Sequence, residues 1–171
     1  MYELIQTGNR SFYINCPAKI GVFRIDGSRI CLIDSGSDKD AGRKVRQIMD
    51  REGWSLHAII NTHSNADHIG GNKYLQQQTG CKIYAKGVEA AFTSHPQLEP
   101  AFLHGGYPFK DLRHKFLMAP ESQVCDISAM AEDAALSELE LIPLPGHFFD
   151  WGADAGPDRL PGRLPQQPGH P

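Results

Sequence analysis

The sequence predicts an α/β domain in which a meander of strands leads into alternating helices and strands that share one mixed sheet. Three observations carry that class. Short apolar runs broken by turn residues fill the N-terminal part of the chain. The apolar spacing then changes at Asp38 from the two-residue period of strands to the helical period. Beyond that point helical and strand-like stretches alternate, as in layered α/β structure. At 171 residues, 40% hydrophobic and 22% charged, the chain suits one soluble domain with a real core.

Each element follows from local chemistry. "YELIQ", "SFYIN", "IGVFRI" and "RICLID" are runs of strand length separated by "GNR", a Cys-Pro break and "DGS". Asp26-Gly27 between two β-rich runs favours a hairpin, so Tyr2 to Asp34 reads as a meander of about four strands. "DKDAGRKVRQIMDREG" places Ala41, Val45, Ile48 and Met49 on one helical face, with Gly53 as a stop. "LHAIIN" follows as a buried strand, "GNKYLQQQTG" as a short helix closed by Gly80, and "CKIYA" as another strand. A helix is expected to start near Gly87.

Val88 to Val124, rich in prolines, aromatics and basic residues, reads as an irregular surface segment of the kind that forms binding loops or lids. Phe102, Tyr107 and Phe109 are either pocket walls or core residues, and His95, His104 and His114 are surface or lid residues. "ELELIPLPGH" reads as a final strand that runs into a turn, with His147 at its end.

Composition narrows the function classes. A net charge of −3 with no long basic run argues against a nucleic-acid surface. No apolar stretch is long enough to span a bilayer, and the N-terminus lacks the pattern of a signal peptide. Cys16, Cys31, Cys81 and Cys125 form no C-x-x-C pair and read as reduced, buried thiols. The expectation is a cytoplasmic protein without a nucleic-acid or membrane partner.

"NTHSNADHIGG" (Asn61 to Gly71) carries the chemistry. It gathers His63, Asp67 and His68 between an apolar strand and a glycine pair. Imidazole nitrogen and carboxylate oxygen are ligands for borderline divalent metals, and a loop rooted on a buried strand can aim residues several positions apart at one point. Asn65 stands where a ligand series would place another imidazole. The bland alternative is a polar loop whose residues cap the helix at Gly71.

"THSNADHIGGN", preceded by a strand, resembles the Thr-His-x-His-x-Asp-His signature of the metallo-β-lactamase-fold superfamily. "LIDSG" (Leu32 to Gly36) is similar to that family's strand-end Asp-x-Gly, and "LPGH" (Leu144 to His147) to the site of its third histidine. The resemblance covers Tyr2 to Asp150 and implies a metallo-β-lactamase-type αββα sandwich, here truncated to its first half, with residues 1–150 as the partial domain. It implies His63 and His147 at a first metal, and Asp67 and His68 at a second. Asp67 would also be the catalytic residue, orienting the attacking hydroxide or accepting its proton. Asp34 would hold the motif loop from behind the ligands.

Asn65 departs from the pattern: its amide binds weakly, binds through water, or marks a reorganised site. The implied cofactors are one or two divalent metal ions, zinc first, with iron or manganese tolerating more oxygen ligation. The implied reaction is hydrolysis of a small-molecule ester, thioester, lactam or phosphodiester. The alternative is a non-catalytic truncated remnant with weak or no metal binding. A diiron oxidoreductase of the same fold is a third possibility, but the chain carries no flavin or rubredoxin module.

Residues 151–171 change character, with many prolines, glycines and arginines and no helical or strand period. The segment is expected to be disordered. Degenerate codons for Gly156 to Pro171, read one nucleotide out of frame, permit an apolar strand ending in aspartate. A frameshift after Asp150 is therefore the expected origin of this tail, and loss of the second half is expected to leave one sheet face exposed.

Overall fold

The computed structural model describes residues 2–143 and 152–155. Strands β1 (Glu3–Gln6), β2 (Ser11–Asn15), β3 (Ile20–Arg24) and β4 (Arg29–Ile33) pair antiparallel in chain order, the expected meander. Asp26 shapes the turn before β4, where its Oδ1 accepts from the backbone N–H groups of Ser28 and Arg29. Helix α1 (Lys39–Glu52) begins at Asp38, whose side chain accepts from Ala41 N. It ends at Gly53 in the left-handed conformation, with φ 69°, which glycine adopts without steric cost.

Three parallel strands extend the sheet: β5 (Ser55–Ile60), β6 (Lys82–Ala85) and the short edge strand β7 (Cys125–Asp126). Between β5 and β6 lie a single helical turn, α2 (Ala66–Ile69), and α3 (Asn72–Thr79). The sheet therefore runs β1 to β7 in sequence order. Strand β8 (Glu140–Pro143) pairs antiparallel with β9 (Gly152–Ala155) in a separate two-stranded sheet. β9 lies in the stretch where the sequence showed no strand period.

The sheet is buried on both faces. Ile30, Leu32 and Ile59 face α1 and α3, where Val45, Ile48, Met49 and Leu75 pack against them. Cys31, Ile33, Ala58, Ile60 and Tyr84 face the other way, onto Met130, Leu136 and Leu139. Continuous apolar runs such as "RICLI" follow from that double burial. The second face is thus not bare, contrary to the sequence expectation. It is covered by two 3₁₀ turns, Ile127–Glu132 and Ala134–Leu136.

A polar pin helps hold that cover in place. The β4–β5 register slips between Ile30 and Cys31, so that Leu56 and Ala58 are paired and His57 is the extra residue. His57 Nε2 lies 2.9 Å from Asp133 Oδ2, and the Tyr84 hydroxyl donates to the same oxygen at 3.3 Å. Burial and the Asp133 charge push the Tyr84 phenol up to about 12.

The segment read as irregular contains two helices, α4 (Gly87–Ser94), near the expected start, and α5 (Leu98–His104). The prolines that argued against helix lie between the two and in the first turn of α5, where proline is tolerated. Phe102, Tyr107 and Phe109 are exposed by 55, 63 and 77%, so they are not core residues. Cys125 is also exposed, because two-residue β7 leaves it at the sheet edge; Cys16, Cys31 and Cys81 are buried as expected. Among the described residues no helix is long and apolar enough to cross a membrane.

The glycine pair after α2 lets two backbone segments touch. A Cβ on Gly70 would lie 2.2 Å from Ser37 C, and one on Gly71 would lie 2.3 Å from Ser35 O. Neither neighbour is a flexible side chain, so the backbone itself would have to move. Gly71→Ala should therefore destabilise the fold by about 1–3 kcal/mol, read as a lower urea midpoint at unchanged m-value.

Candidate metal centre

The site forms where parallel neighbours β4 and β5 end side by side, the place where open α/β sheets bind ligands. Asp34 is the first residue past β4, and Asn61 to Asn65 leave β5. Asp34 N donates to Ile60 O at 2.9 Å and Asn61 N to Tyr84 O at 2.8 Å, which carries the ladder one residue beyond the strands. Asp34 turns the chain with a positive φ of 66°, a conformation that aspartate tolerates better than most residues. The motif loop is tied back at its far end by Ser35 N donating to His68 O at 2.8 Å and by Asn72 Nδ2 donating to buried Asn61 Oδ1, also at 2.8 Å.

One carboxylate organises both rings. Asp34 Oδ1 accepts from Thr62 N at 2.9 Å, and Oδ2 accepts from Thr62 Oγ1 and from His68 Nδ1, each at 2.7 Å. Thr62 has one hydroxyl proton, and Asp34 takes it. The Thr62 oxygen can then only accept from His63 Nδ1, 2.8 Å away. In their neutral forms both imidazoles therefore carry the proton on Nδ1. The rings lie with centroids 4.0 Å apart and planes tilted by 48°. Asp34, His63 and His68 each offer a ligand-type atom, all within 4.8 Å of one another.

Electrostatics follow from the same contacts. Burial is the largest influence on Asp34 and opposes its ionisation. The His68 hydrogen bond and charge, the His63 charge and the Thr62 N–H together outweigh it and hold the carboxyl below its ordinary value. Burial likewise opposes protonation of His68, but the hydrogen bond and charge of Asp34 and the charge of Asp67 raise its pKa. Asp67 is 55% exposed and places Oδ2 3.6 Å from His68 Nε2. Its carboxylate thus lies beside the open nitrogen of His68.

Two further carboxylates were missed in the sequence. Glu89 on α4 is fully buried and accepts from Ser64 N at 2.9 Å. Glu99 on α5 is 4% exposed and accepts from Asn65 Nδ2 at 3.1 Å and from the Ala66 N–H. Both sit in the segment read as irregular, where the only available signal was a lone acidic residue at each position. They hold the motif loop at Ser64, Asn65 and Ala66. Asn65 occupies the N-cap position of α2, yet its side chain makes no capping bond, and the N-cap of α3 is Gly71, which has no side chain to make one. The helix-capping alternative for this loop is not what the side chains do.

Of the residues singled out in the sequence, Asp34, His63 and His68 come together, with Asp67 next to His68. Asn65 is turned toward Glu99. His147 lies outside the described residues. His95, His104 and His114 are exposed.

Burial pushes the Glu99 carboxyl up to about 7, with the charges of Asp67 and Glu89 adding to it against the Ala66 and Asn65 hydrogen bonds. A raised folded-state pKa contributes stability that is full below the ordinary value near 4.5 and lost as pH rises through about 7. Glu99→Gln removes that component. Urea titrations of the chelator-treated protein should show the variant gaining on the wild type as pH rises through this window. A constant difference would place the Glu99 carboxyl at its ordinary value.

Comparison with known proteins agrees with this geometry. Residues 14–164 match the sequence model of the metallo-beta-lactamase superfamily. A hydroxyacylglutathione hydrolase of Nitrobacter hamburgensis is 49% identical over 41 residues, which is 24% of this chain and 16% of that protein. One from Rhodopseudomonas palustris is 41% identical over 56 residues, 30% of this chain and 22% of that protein. Among solved structures, a metallo-beta-lactamase of Cronobacter sakazakii with a HARLDQ motif superposes with a TM-score of 0.57 at 18% identity, covering 71% of this chain and 44% of that one. A subclass B3 metallo-beta-lactamase of Bradyrhizobium japonicum gives 0.55 at 20% identity, covering 83% and 48%. The chain spans about half the length of these structures and matches less than a quarter of the length of either hydrolase. The superfamily model extends over most of the chain and the solved structures share its fold, so this chain belongs to the metallo-beta-lactamase superfamily.

Proposed function

We propose that the chain is a metal-dependent hydrolase that promotes hydroxide attack on a small-molecule substrate, with a thioester as the preferred class among ester, thioester, lactam and phosphodiester. The observation that carries this reading is the Thr62–Asp34 arrangement, which holds the Nδ1 atoms of two neighbouring imidazoles within one Asp/His/His group. The preference for a thioester rests on the name shared by the sequence relatives, hydroxyacylglutathione hydrolase.

The donor set fits a divalent cation. Both histidines have their second nitrogen engaged, as metal-ligating histidines do, and an acidic side chain stands beside them. His63 and His68 would hold the ion through Nε2 and Asp67 through its carboxylate, with His147 as a further ligand and Asn65 as a weak oxygen donor. Zinc, iron and manganese all suit nitrogen and oxygen donors of this kind. When bound, such an ion polarises the attacked carbonyl and supplies a nucleophile at neutral pH.

The chain's own residues do the rest. Asp34 is fully committed to three donors, so it orients the rings rather than ligating. Asp67, more than half exposed, is free to accept the proton of the attacking water and to align its lone pair on the substrate carbonyl. Asn65 favours a second reading, a non-catalytic chain with weak or no metal binding, because its amide replaces an imidazole and its Nδ2 is held by Glu99.

Metal titration separates the two. Dialysed protein should take up zinc or manganese in calorimetry, and His68→Ala should abolish the uptake. Asp34→Ala should weaken it by about 10–100-fold, the usual cost of losing a ligand's hydrogen-bond partner. Hydrolysis of a hydroxyacylglutathione thioester should vanish with chelator and return with the ion. Failure of the wild-type chain to bind either ion would leave the second reading standing.

A further inference from the structure

We propose that Glu99 is a positioning residue for Asn65, fixing the amide so that Oδ1 rather than Nδ2 is offered as the ligand atom, and so tilting the site from zinc toward manganese or iron. The inference rests on the metal-dependent reading above and concerns only how this chain departs from the four-residue histidine pattern.

The two ends of an asparagine amide are chemically unlike: the oxygen has lone pairs for a cation, whereas the NH₂ group only donates. Rotation of the amide by half a turn therefore decides whether position 65 can ligate at all. Asparagine is a favoured N-cap residue, and Asn65 occupies the N-cap position of α2, but its side chain gives up the capping bond. Nδ2 donates instead to Glu99 Oε1 at 3.1 Å. An ionised carboxylate only accepts, so while Glu99 is ionised this contact admits one of the two amide orientations. Among the described residues Oδ1 accepts no hydrogen bond.

Glu99 is itself held firmly. It is 4% exposed, lies in the first turn of α5, and takes the backbone N–H of Ala66 as well as the Asn65 amide. Two donors from consecutive residues of the motif loop thus share one carboxylate. Metal ligands are commonly oriented by a carboxylate behind them, and loss of that partner weakens binding. Here the carboxylate stands behind an amide rather than an imidazole. The ligand it sets is an oxygen, which suits manganese or iron better than zinc.

Two measurements test this. The first needs no metal: in isotopically labelled, chelator-treated wild type, at a pH where Glu99 is ionised, the Asn65 side-chain NH₂ should show one proton shifted downfield, with a scalar coupling across the hydrogen bond to the Glu99 carboxyl carbon. The second compares manganese and zinc isotherms for wild type, Glu99→Gln, Glu99→Ala, Asn65→Ala and the Glu99→Ala/Asn65→Ala double variant. Manganese affinity should fall about 10–100-fold in Glu99→Ala and less in Glu99→Gln, which keeps one acceptor. Zinc should lose less, and the double variant should be no weaker than Asn65→Ala alone.

An unperturbed Asn65 NH₂ resonance would overturn the proposal even where the Glu99 variants fail to fold. Additive losses in the double variant, or an unchanged manganese-to-zinc ratio in Glu99→Ala, would overturn it while leaving the metal-dependent reading intact. A wild-type chain that binds neither ion would overturn both.

Discussion

The site depends on the ionised, buried carboxylate of Asp34. A charge in that position is costly unless several donors surround it, and the fold supplies them from two sides. Thr62 contributes a backbone N–H and a hydroxyl, and His68 contributes Nδ1. Those same bonds dictate the tautomers of both histidines. Ring chemistry at the site is thus a consequence of satisfying one carboxylate, and the carboxylate stays charged because the rings and Thr62 surround it.

Backbone proximity makes the arrangement possible. Asp34 and Thr62 meet because β4 and β5 are parallel neighbours that end together. His68 reaches Asp34 because α2 lies directly on the segment after β4, through the Ser35–His68 hydrogen bond and the Gly36–Ile69 bridge. That contact tolerates no side chain at Gly70 or Gly71. The glycine pair in "DHIGG" is therefore as much a part of the site as the histidines, although it touches no ligand.

Much of this was legible in the sequence. The alternation of "RICLI" and "LHAII" with helical stretches gave the layered sheet, and the Asp38 and Gly53 signals bounded α1 to within a residue. His63, His68 and Asp34 were identified through the spacing of a known motif, and the structure brings them together. Glu89 and Glu99 were not legible, because a buried carboxylate in a helix looks like any surface acid until its partner is known. Their partners, the N–H groups of Ser64 and Ala66, are backbone atoms that leave no trace in residue identity. The cover over the second sheet face was hidden for a related reason. Residues 127–136 form 3₁₀ turns too short for any period to register.

Asp34, Glu89 and Glu99 together define the electrical character of the loop. All three are buried, and Asp67 stands at the rim. Hydrogen bonds from the motif backbone satisfy these groups, but such bonds stabilise a buried charge only in part. Burial raises the Glu99 value most, and the repulsion of its neighbours Asp67 and Glu89 adds to that effect. Under the proposed metal-dependent reading, a cation held by the histidines and Asp67 would offset part of that repulsion. Binding free energy for such an ion is also folding free energy. The acid gathered around the loop is therefore the feature that an ion bound as proposed would balance.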